Sequence, residues 1–312
     1  MANGAKKVAV IGAGNVGATC AFVLAERKVG DVVLLDIYEG FAKGKALDMS
    51  QGGQVLNYDG RVTGTKDYAD IADSDVVVVT SGFPRQPGMT REDLIGKNAD
   101  IVSQVGEGIR QHAPNSIVVM VTNPLDLMTY HMQKVTGFEH SKVVGQAGIL
   151  DSARMTHFIA QAVGCSNEDV QAMVLGGHGD TMVPLPRYTT VNGIPVNQLL
   201  SDEEVEGICK RTASGGGEIV KLLEKGSAFY APGSAAAIMA EAILDDRKRV
   251  LPCSTYLSGE YGMDDIYIGV PVVLGRNGVE RIIELELADK ELDSLQSSGS
   301  FYKEQLSEIL GY

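Results

Sequence analysis

One stretch near the start limits the fold more than any other. Lys7–Ile11 is a short β-branched apolar run, and Gly12-Ala13-Gly14-Asn15-Val16-Gly17 follows it directly. A stretch of helical length, Ala18–Arg27, comes next. The spacing Gly12-x-Gly14-x-x-Gly17 between strand and helix has a physical reading. One glycine makes a tight turn, one lets the backbone approach a pyrophosphate, and one lets the helix pack on the strand. The helix start then offers free N–H groups and a positive dipole end to phosphates. A second run, Val32–Leu35, ends in Asp36. A carboxylate about 20 residues after the glycines accepts a ribose 2′-hydroxyl and repels a 2′-phosphate. The following Ile37 and Tyr38 supply no arginine for such a phosphate. The expected cofactor is therefore NAD.

The same rhythm continues to about residue 150. Strand candidates are Lys7–Ile11, Asp31–Asp36, Asp75–Thr80, Ser116–Val121 and Lys142–Gly145. Most are continuous Val/Ile runs, as expected of strands buried on both faces of a parallel sheet. Segments of helical spacing, Gly17–Lys28, Gly96–Gln111 and Asp126–Val135, separate them. This predicts an α/β, doubly wound Rossmann half over residues 1–147. Residues 148–312 read as an α+β catalytic half. There, a helix over Asp151–Val163 precedes Val170–Leu175 and extended pieces over Met182–Val196. Ser201 with Glu204 fits a capping box for a long acidic helix. Ser214-Gly215-Gly216-Gly217 is expected to interrupt or bend it. Later strands, Ile266–Val270 and Val272–Leu274, lead to a hairpin signal at Asn277-Gly278. Lys290–Leu310 reads as a closing amphipathic helix.

Composition excludes several classes of function. The 312 residues carry a formal net charge of −13. A chain this acidic is a poor partner for nucleic acid or anionic membrane. The acidity fits either ordinary solubility or a salty cytoplasm. No stretch approaches the length of an apolar membrane span, and the start is too short for a signal-peptide core. Cys20, Cys165, Cys209 and Cys253 are dispersed and show no metal-ligand spacing, so no metal is expected and a cytoplasmic location is.

The chemistry-bearing residues cluster in short motifs. His178 stands in Gly176-Gly177-His178-Gly179-Asp180, just after an apolar strand. Flanking glycines leave the imidazole open, and histidine suits proton exchange near neutrality. Asp151 and Arg154 are three residues apart, hence on one helix face. A carboxylate can orient and charge a histidine, and a guanidinium can bind a carboxylate in bidentate fashion. Asn123, in Val121-Thr122-Asn123-Pro124, ends a strand, where its amide could reach a substrate hydroxyl. Finally, Ser81–Arg91 places Arg85 and Arg91 six positions apart among Gly82, Pro84, Pro87 and Gly88. That composition suits a lid with hinges.

Taken in order, these motifs resemble the lactate/malate dehydrogenase family, most closely its lactate-dehydrogenase-like malate dehydrogenases from prokaryotes. The resemblance covers essentially the whole chain. It implies a catalytic set of His178, Asp151 and Arg91. It implies substrate contacts from Arg85, Arg91, Asn123 and Arg154. It extends the cofactor contacts to Gly12, Ala13, Gly14, Asn15, Val16, Gly17, Asp36, Asn98, Val121, Thr122 and Asn123. The family separates malate from lactate by arginine or glutamine at the position six residues before the carbonyl-polarising arginine. Arg85 stands there, and Gln86 is one place beyond. Gly177 before the histidine and the alanine of Lys225-Gly226-Ser227-Ala228 also depart from many lactate dehydrogenases. The implied reaction is NAD-dependent oxidation of (S)-malate to oxaloacetate. Lactate or another 2-hydroxyacid is the alternative substrate. A homodimer or homotetramer is the implied assembly.

Overall fold

The computed structural model describes residues 6–84 and 89–312. Arg85 and Gln86 lie outside the described residues. The first half alternates strands and helices. In chain order these are β1 (Lys7–Ile11), α1 (Asn15–Glu26), β2 (Asp31–Leu35), α2 (Glu39–Leu56), β3 (Val62–Thr65), β4 (Val76–Val79), α3 (Arg91–His112), β5 (Ile117–Met120), α4 (Leu125–Thr136) and β6 (Val143–Gly145). The strands pair in parallel in the order β3-β2-β1-β4-β5-β6. This is the doubly wound order, with its switch point between β1 and β4. All four valines of β4 are completely buried, as covering a sheet on both faces requires.

The second half extends the same sheet. It comprises α5 (Gly148–Val163), β7 (Val170–Gln171), β8 (Val174–Gly176), β9 (Met182–Pro184), β10 (Thr190–Val191), β11 (Ile194–Pro195), α6 (Asp202–Leu223), α7 (Tyr230–Leu244), β12 (Arg249–Ser258), β13 (Asp264–Gly275), β14 (Gly278–Ile282) and α8 (Asp289–Leu310). Strands β12, β13, β8 and β9 continue beyond β6 in antiparallel pairing, and β7, β10 and β11 form a separate small sheet. One row of small residues crosses the junction: Gly145 pairs Ser254, Ser254 pairs Gly269, and Gly269 pairs Gly176. A side chain at Gly145 would meet the Ser254 Cβ at 2.8 Å, and one at Gly269 would meet the Gly176 carbonyl at 2.5 Å. Glycine is therefore needed where the two halves of the sheet meet.

Several elements differ from the sequence expectation. Helix α3 begins at Arg91, not near Gly96, because Thr90 caps it: its Oγ accepts from Asp93 N at 3.1 Å, and Asp93 accepts from Thr90 N at 3.2 Å. Arg91 is thus the first helical residue. Helix α6 is capped by Ser201 and Glu204 as the sequence suggests, but it runs unbroken through Gly215–Gly217. The glycines there make room rather than a break, as described below. Ile266–Val270 and Val272–Leu274 are one strand, β13, which passes through Pro271. Its partner β12 carries Pro252 opposite Pro271. The hairpin after β13 turns on Arg276-Asn277, one residue earlier than expected, with Gly275 paired to Gly278 at φ +84°.

Helix α7 seats the glycine-loop helix. A Cβ on Gly233 would lie 2.7 Å from the Thr19 Cβ and 2.8 Å from the Val16 carbonyl. The Glu241 carboxylate, also on α7, bonds Arg27 after α1 at 2.8 Å and Arg247 at 2.7 Å. Gly233→Val should therefore wedge α1 from α7 and cost about 1–3 kcal/mol of stability, read by urea denaturation. An unchanged midpoint would refute the close packing.

Candidate functional site

The glycine loop is built by steric exclusion. Gly12 has φ +104°, and a Cβ there would meet Thr80 Oγ1 at 2.7 Å and Ser81 N at 2.8 Å. A Cβ on Gly17 would lie 1.9 Å from the Gly12 carbonyl. Thr80 Oγ1 donates to the Gly12 carbonyl at 3.0 Å, tying the end of β4 to the loop. Gly14 faces open space and caps α1 with no side-chain hydrogen bond and no acid in the first turn. The N–H groups of Asn15, Val16 and Gly17 lie in this first turn, where an α-helix leaves its donors without partners. A dinucleotide pyrophosphate fits this cradle, since its oxygens supply the missing acceptors.

Asp36 stands just beyond β2. Its Oδ2 accepts from Ala13 N at 2.7 Å and its Oδ1 from Tyr38 N at 3.0 Å. Each carboxylate oxygen keeps a lone pair for a ribose hydroxyl. Lys45 was not evident from the sequence. It reaches under the loop from α2, and its Nζ donates to the Ala13 carbonyl at 2.8 Å. Burial lowers its pKa and the charge of Asp36 opposes that.

The far side of the cofactor groove is a braced corner. Thr122 Oγ1 donates to the Ser81 carbonyl at 2.6 Å. Asn98, from α3, spends its amide on the protein. Its Oδ1 accepts from Phe83 N at 2.6 Å, and its Nδ2 donates to the carbonyls of Asn123 at 2.6 Å and Phe83 at 3.2 Å. It therefore holds the corner in place. Val121 is partly exposed, and the Asn123 side chain is exposed with no partner among the described residues.

The Asp151–His178 pair forms across the sheet junction. Asp151 lies in the first turn of α5 and His178 just past β8, 27 residues apart. His178 Nδ1 bonds Asp151 Oδ2 at 2.9 Å, and Arg154 Nη1 donates to Asp151 Oδ1 at 3.0 Å. Asp151 is 1% exposed. The network assigns the Nδ1 proton toward Asp151 and leaves Nε2 for exchange. Burial alone would lower the His178 pKa. The charge and hydrogen bond of Asp151 outweigh it, helped by Asp126 and opposed by Arg154, and the net shift is upward. Arg154 runs along α6, where a Cβ on Gly215 would sit 3.2 Å from its Cδ and one on Gly216 3.5 Å from its Nη2. This is the room that the glycines of α6 provide. The buried Arg154 Nε has no partner among the described residues.

Three further residues cradle His178 and were not picked out in the sequence. Its main-chain N–H donates to Asp126 Oδ2 at 2.9 Å, Ser298 Oγ accepts from Gly177 N at 3.0 Å, and Tyr302 Oη lies 3.5 Å from the His178 carbonyl. A Cβ on Gly177 would strike the Tyr302 ring at 1.9 Å, so residue 177 has no room for a side chain. Asp126 had one sequence signal, its place three residues after Asn123. Ser298 and Tyr302 lie over a hundred positions away in α8 and had none. Arg91 joins this wall from the other side. Its guanidinium lies over the Phe301 ring at 4.5 Å from the centroid and makes no ion pair among the described residues. Among the described residues there is also no cluster of three His, Cys, Asp or Glu suited to a metal, and no helix long and apolar enough to cross a membrane.

Comparison with known proteins covers nearly the whole chain. Residues 6–145 match the NAD binding domain model of lactate/malate dehydrogenases, and residues 149–311 match the alpha/beta C-terminal domain model. A malate dehydrogenase of Methanosarcina mazei is 53% identical over 97% of this chain and 99% of its own. The malate dehydrogenase structure from Salinibacter ruber superposes with a TM-score of 0.94 at 50% identity, covering 97% of both chains. A lactate dehydrogenase of Cryptosporidium parvum, solved with lactic acid and NAD, also superposes with a TM-score of 0.94, at 42% identity over 99% of this chain and 98% of that one.

The raised pKa of His178 has a consequence for stability. A group whose folded pKa exceeds its unfolded value stabilises the fold below the unfolded pKa, and loses that contribution as pH rises through the folded one. The stability difference between the wild type and His178→Asn should therefore shrink from pH 6 to pH 9. A difference that is constant or grows in thermal melts would contradict the buried ion pair.

Proposed function

Because the chain belongs to the lactate/malate dehydrogenase family, we propose that it interconverts (S)-malate and oxaloacetate with NAD. Residues 1–147 form the cofactor half and residues 148–312 the catalytic half in this reading. The observation that carries it is buried Asp151, which holds His178 on one oxygen and Arg154 on the other. A cofactor-binding module with no reaction to run has no use for such a pair.

NAD, when bound, accepts or returns the hydride. Gly12–Gly17 hold its pyrophosphate, and Asp36 its ribose, while Asn98, Val121, Thr122 and Asn123 shape the groove for the remainder. In reduction, His178 gives its Nε2 proton to the oxygen of the substrate carbonyl, and Asp151 steadies the imidazolium until it does. In oxidation, neutral His178 takes that proton back. Arg154 clamps the carboxylate next to the reacting carbon through the donors that Asp151 leaves free. Asn123 donates its amide hydrogen to the reacting oxygen. Arg91 leaves the Phe301 ring and polarises the carbonyl as the loop closes, an electrostatic role suited to a site emptied of water. Arg85 pairs with the second carboxylate of a dicarboxylate substrate. Facing the methyl of pyruvate in a site emptied of water, the same cation would go unpaired, which is costly.

A homo-oligomer and a cytoplasmic location belong to the same proposal. Leu47 and Val55 on α2 and Leu222 on α6 are 60%, 78% and 76% exposed. A second copy covering these helices would remove that apolar surface from water. Sedimentation as a monomer at micromolar concentration would refute it. The four thiols are free, consistent with a reducing compartment.

The deciding measurement is NADH oxidation with oxaloacetate and with pyruvate. Oxaloacetate should be preferred by roughly 10⁴-fold or more, and Arg85→Gln should shift the ratio toward pyruvate by about two decades. Preference for pyruvate in the wild type would overturn malate as substrate. A ratio untouched by Arg85→Gln would remove Arg85 as selector.

A further inference from the structure

A second carboxylate stands behind His178. Asp126, in the first turn of α4, is 1% exposed, and Ser254 on β12 is fully buried. Asp126 Oδ2 accepts from the His178 main-chain N–H at 2.9 Å, and Asp126 Oδ1 accepts from Ser254 Oγ at 2.7 Å. Both partners are neutral, and Asp126 forms no ion pair with Lys or Arg among the described residues. An anion buried with only neutral donors is unfavourable by itself. The hydrogen bonds do not require it either. An amide in its place would accept from the His178 N–H through its oxygen and donate to the Ser254 hydroxyl through its nitrogen. What the carboxylate adds is its charge.

We infer that Asp126 is a positioning residue whose negative charge, acting with that of Asp151, holds the exchangeable proton on His178. His178 is then held by two acids, one on its ring nitrogen and one on its main-chain N–H. The charged and titratable groups around it come from four helices and the loop after β8. Asp151 and Arg154 face it from α5, Asp126 from α4, and Tyr302 from α8, while Arg91 at the start of α3 and Asp180 in the loop act on Tyr302. Arg154 works against protonation of His178, so nearby negative charge must offset both that cation and the loss of water. Asp126 supplies the second negative charge.

The burial of Asp126 also makes its charge conditional. Desolvation pushes its pKa up to about 6, with the Ser254 and His178 hydrogen bonds and the His178 charge opposing, and the Asp151 charge adding to it. Below that pH Asp126 becomes neutral and its hold on the imidazole proton is lost. Ser254, placed by the junction row between Gly145 and Gly269, favours the charged carboxylate through its hydrogen bond.

Asp126→Asn tests this because it removes the charge and keeps the shape. The first readout needs no turnover: the His178 ring protons are followed by NMR across pH, assigned with His178→Asn. The His178 titration should move down by about one unit. The second readout rests on the proposed function. The alkaline limb of kcat/KM for oxaloacetate reduction should move down by the same amount, giving about a tenfold slower rate above the limb. Affinity for NADH should stay as in the wild type. A His178 titration that overlays the wild type, or a lower kcat with the limb in place, overturns the inference. If the wild type fails to reduce oxaloacetate while the NMR shift appears, the inference stands and the proposed function falls. Ser254→Ala keeps the Asp126 carboxylate but removes a donor to it, so it should shift the His178 titration in the same direction by less. Should Asp126→Asn fail to fold in thermal melts, an unshifted titration in Ser254→Ala overturns the inference by itself.

Discussion

A carboxylate with almost no access to water must find donors for both its oxygens, and Asp151 is the point on which this molecule turns. It finds His178 on one side and Arg154 on the other. Breaking either leaves one buried carboxylate oxygen without its donor, a larger loss than the net worth of the bond. So the fold must deliver three side chains to one place with little tolerance. Two of them share the start of α5. The third comes from beyond β8, on a different part of the chain. The row Gly145, Ser254, Gly269 and Gly176 makes this meeting happen, because it sets the end of β6 level with the end of β8 across two long intervening strands.

The cofactor side obeys a different constraint, close approach of backbone to backbone. Gly12, Gly17 and Gly233 each stand where a single Cβ would collide with main chain or with a neighbouring helix. Those contacts pull α1 onto β1, β4 and α7, and so aim its unsatisfied N–H groups along the groove. The two halves of the site therefore depend on different physics. One uses paired charges with water removed, and the other uses the absence of side chains.

Much of this was legible along the chain. The parallel strands are continuous apolar runs, and the glycine loop and Asp36 stand at fixed offsets, so local pattern located them. The elements that escaped notice lack such patterns. Helix α2 has only a weak apolar stripe, with Leu47 and Val55 facing outward. Strand β3, Val62–Thr65, is short and half polar. Strand β12 carries Pro252, which argues against a central strand unless its partner also lacks the donor, and Pro271 opposite does. The triple glycine in α6 reads as a break in any local rule, yet the helix continues because Arg154 packs against its bare face. Gly177 is the reverse case: its difference from many lactate dehydrogenases had no reason in the sequence until the Tyr302 ring was found filling the space.

By itself the sequence determined the doubly wound sheet and the glycine loop with its Asp36, and it singled out Asp151, Arg154 and His178 as chemistry-bearing residues. Those depend on residue type and on spacings of a few positions, which a chain displays openly. Only the tertiary structure decided how these groups are held. Asp126 under the His178 backbone, Ser254 beneath Asp126, Tyr302 against Gly177 and Arg91 resting on Phe301 join residues more than fifty positions apart. Their meeting depends on sheet register and helix packing. A change of one residue in the pairing of β12 would turn Ser254 to the other face and leave Asp126 without its donor.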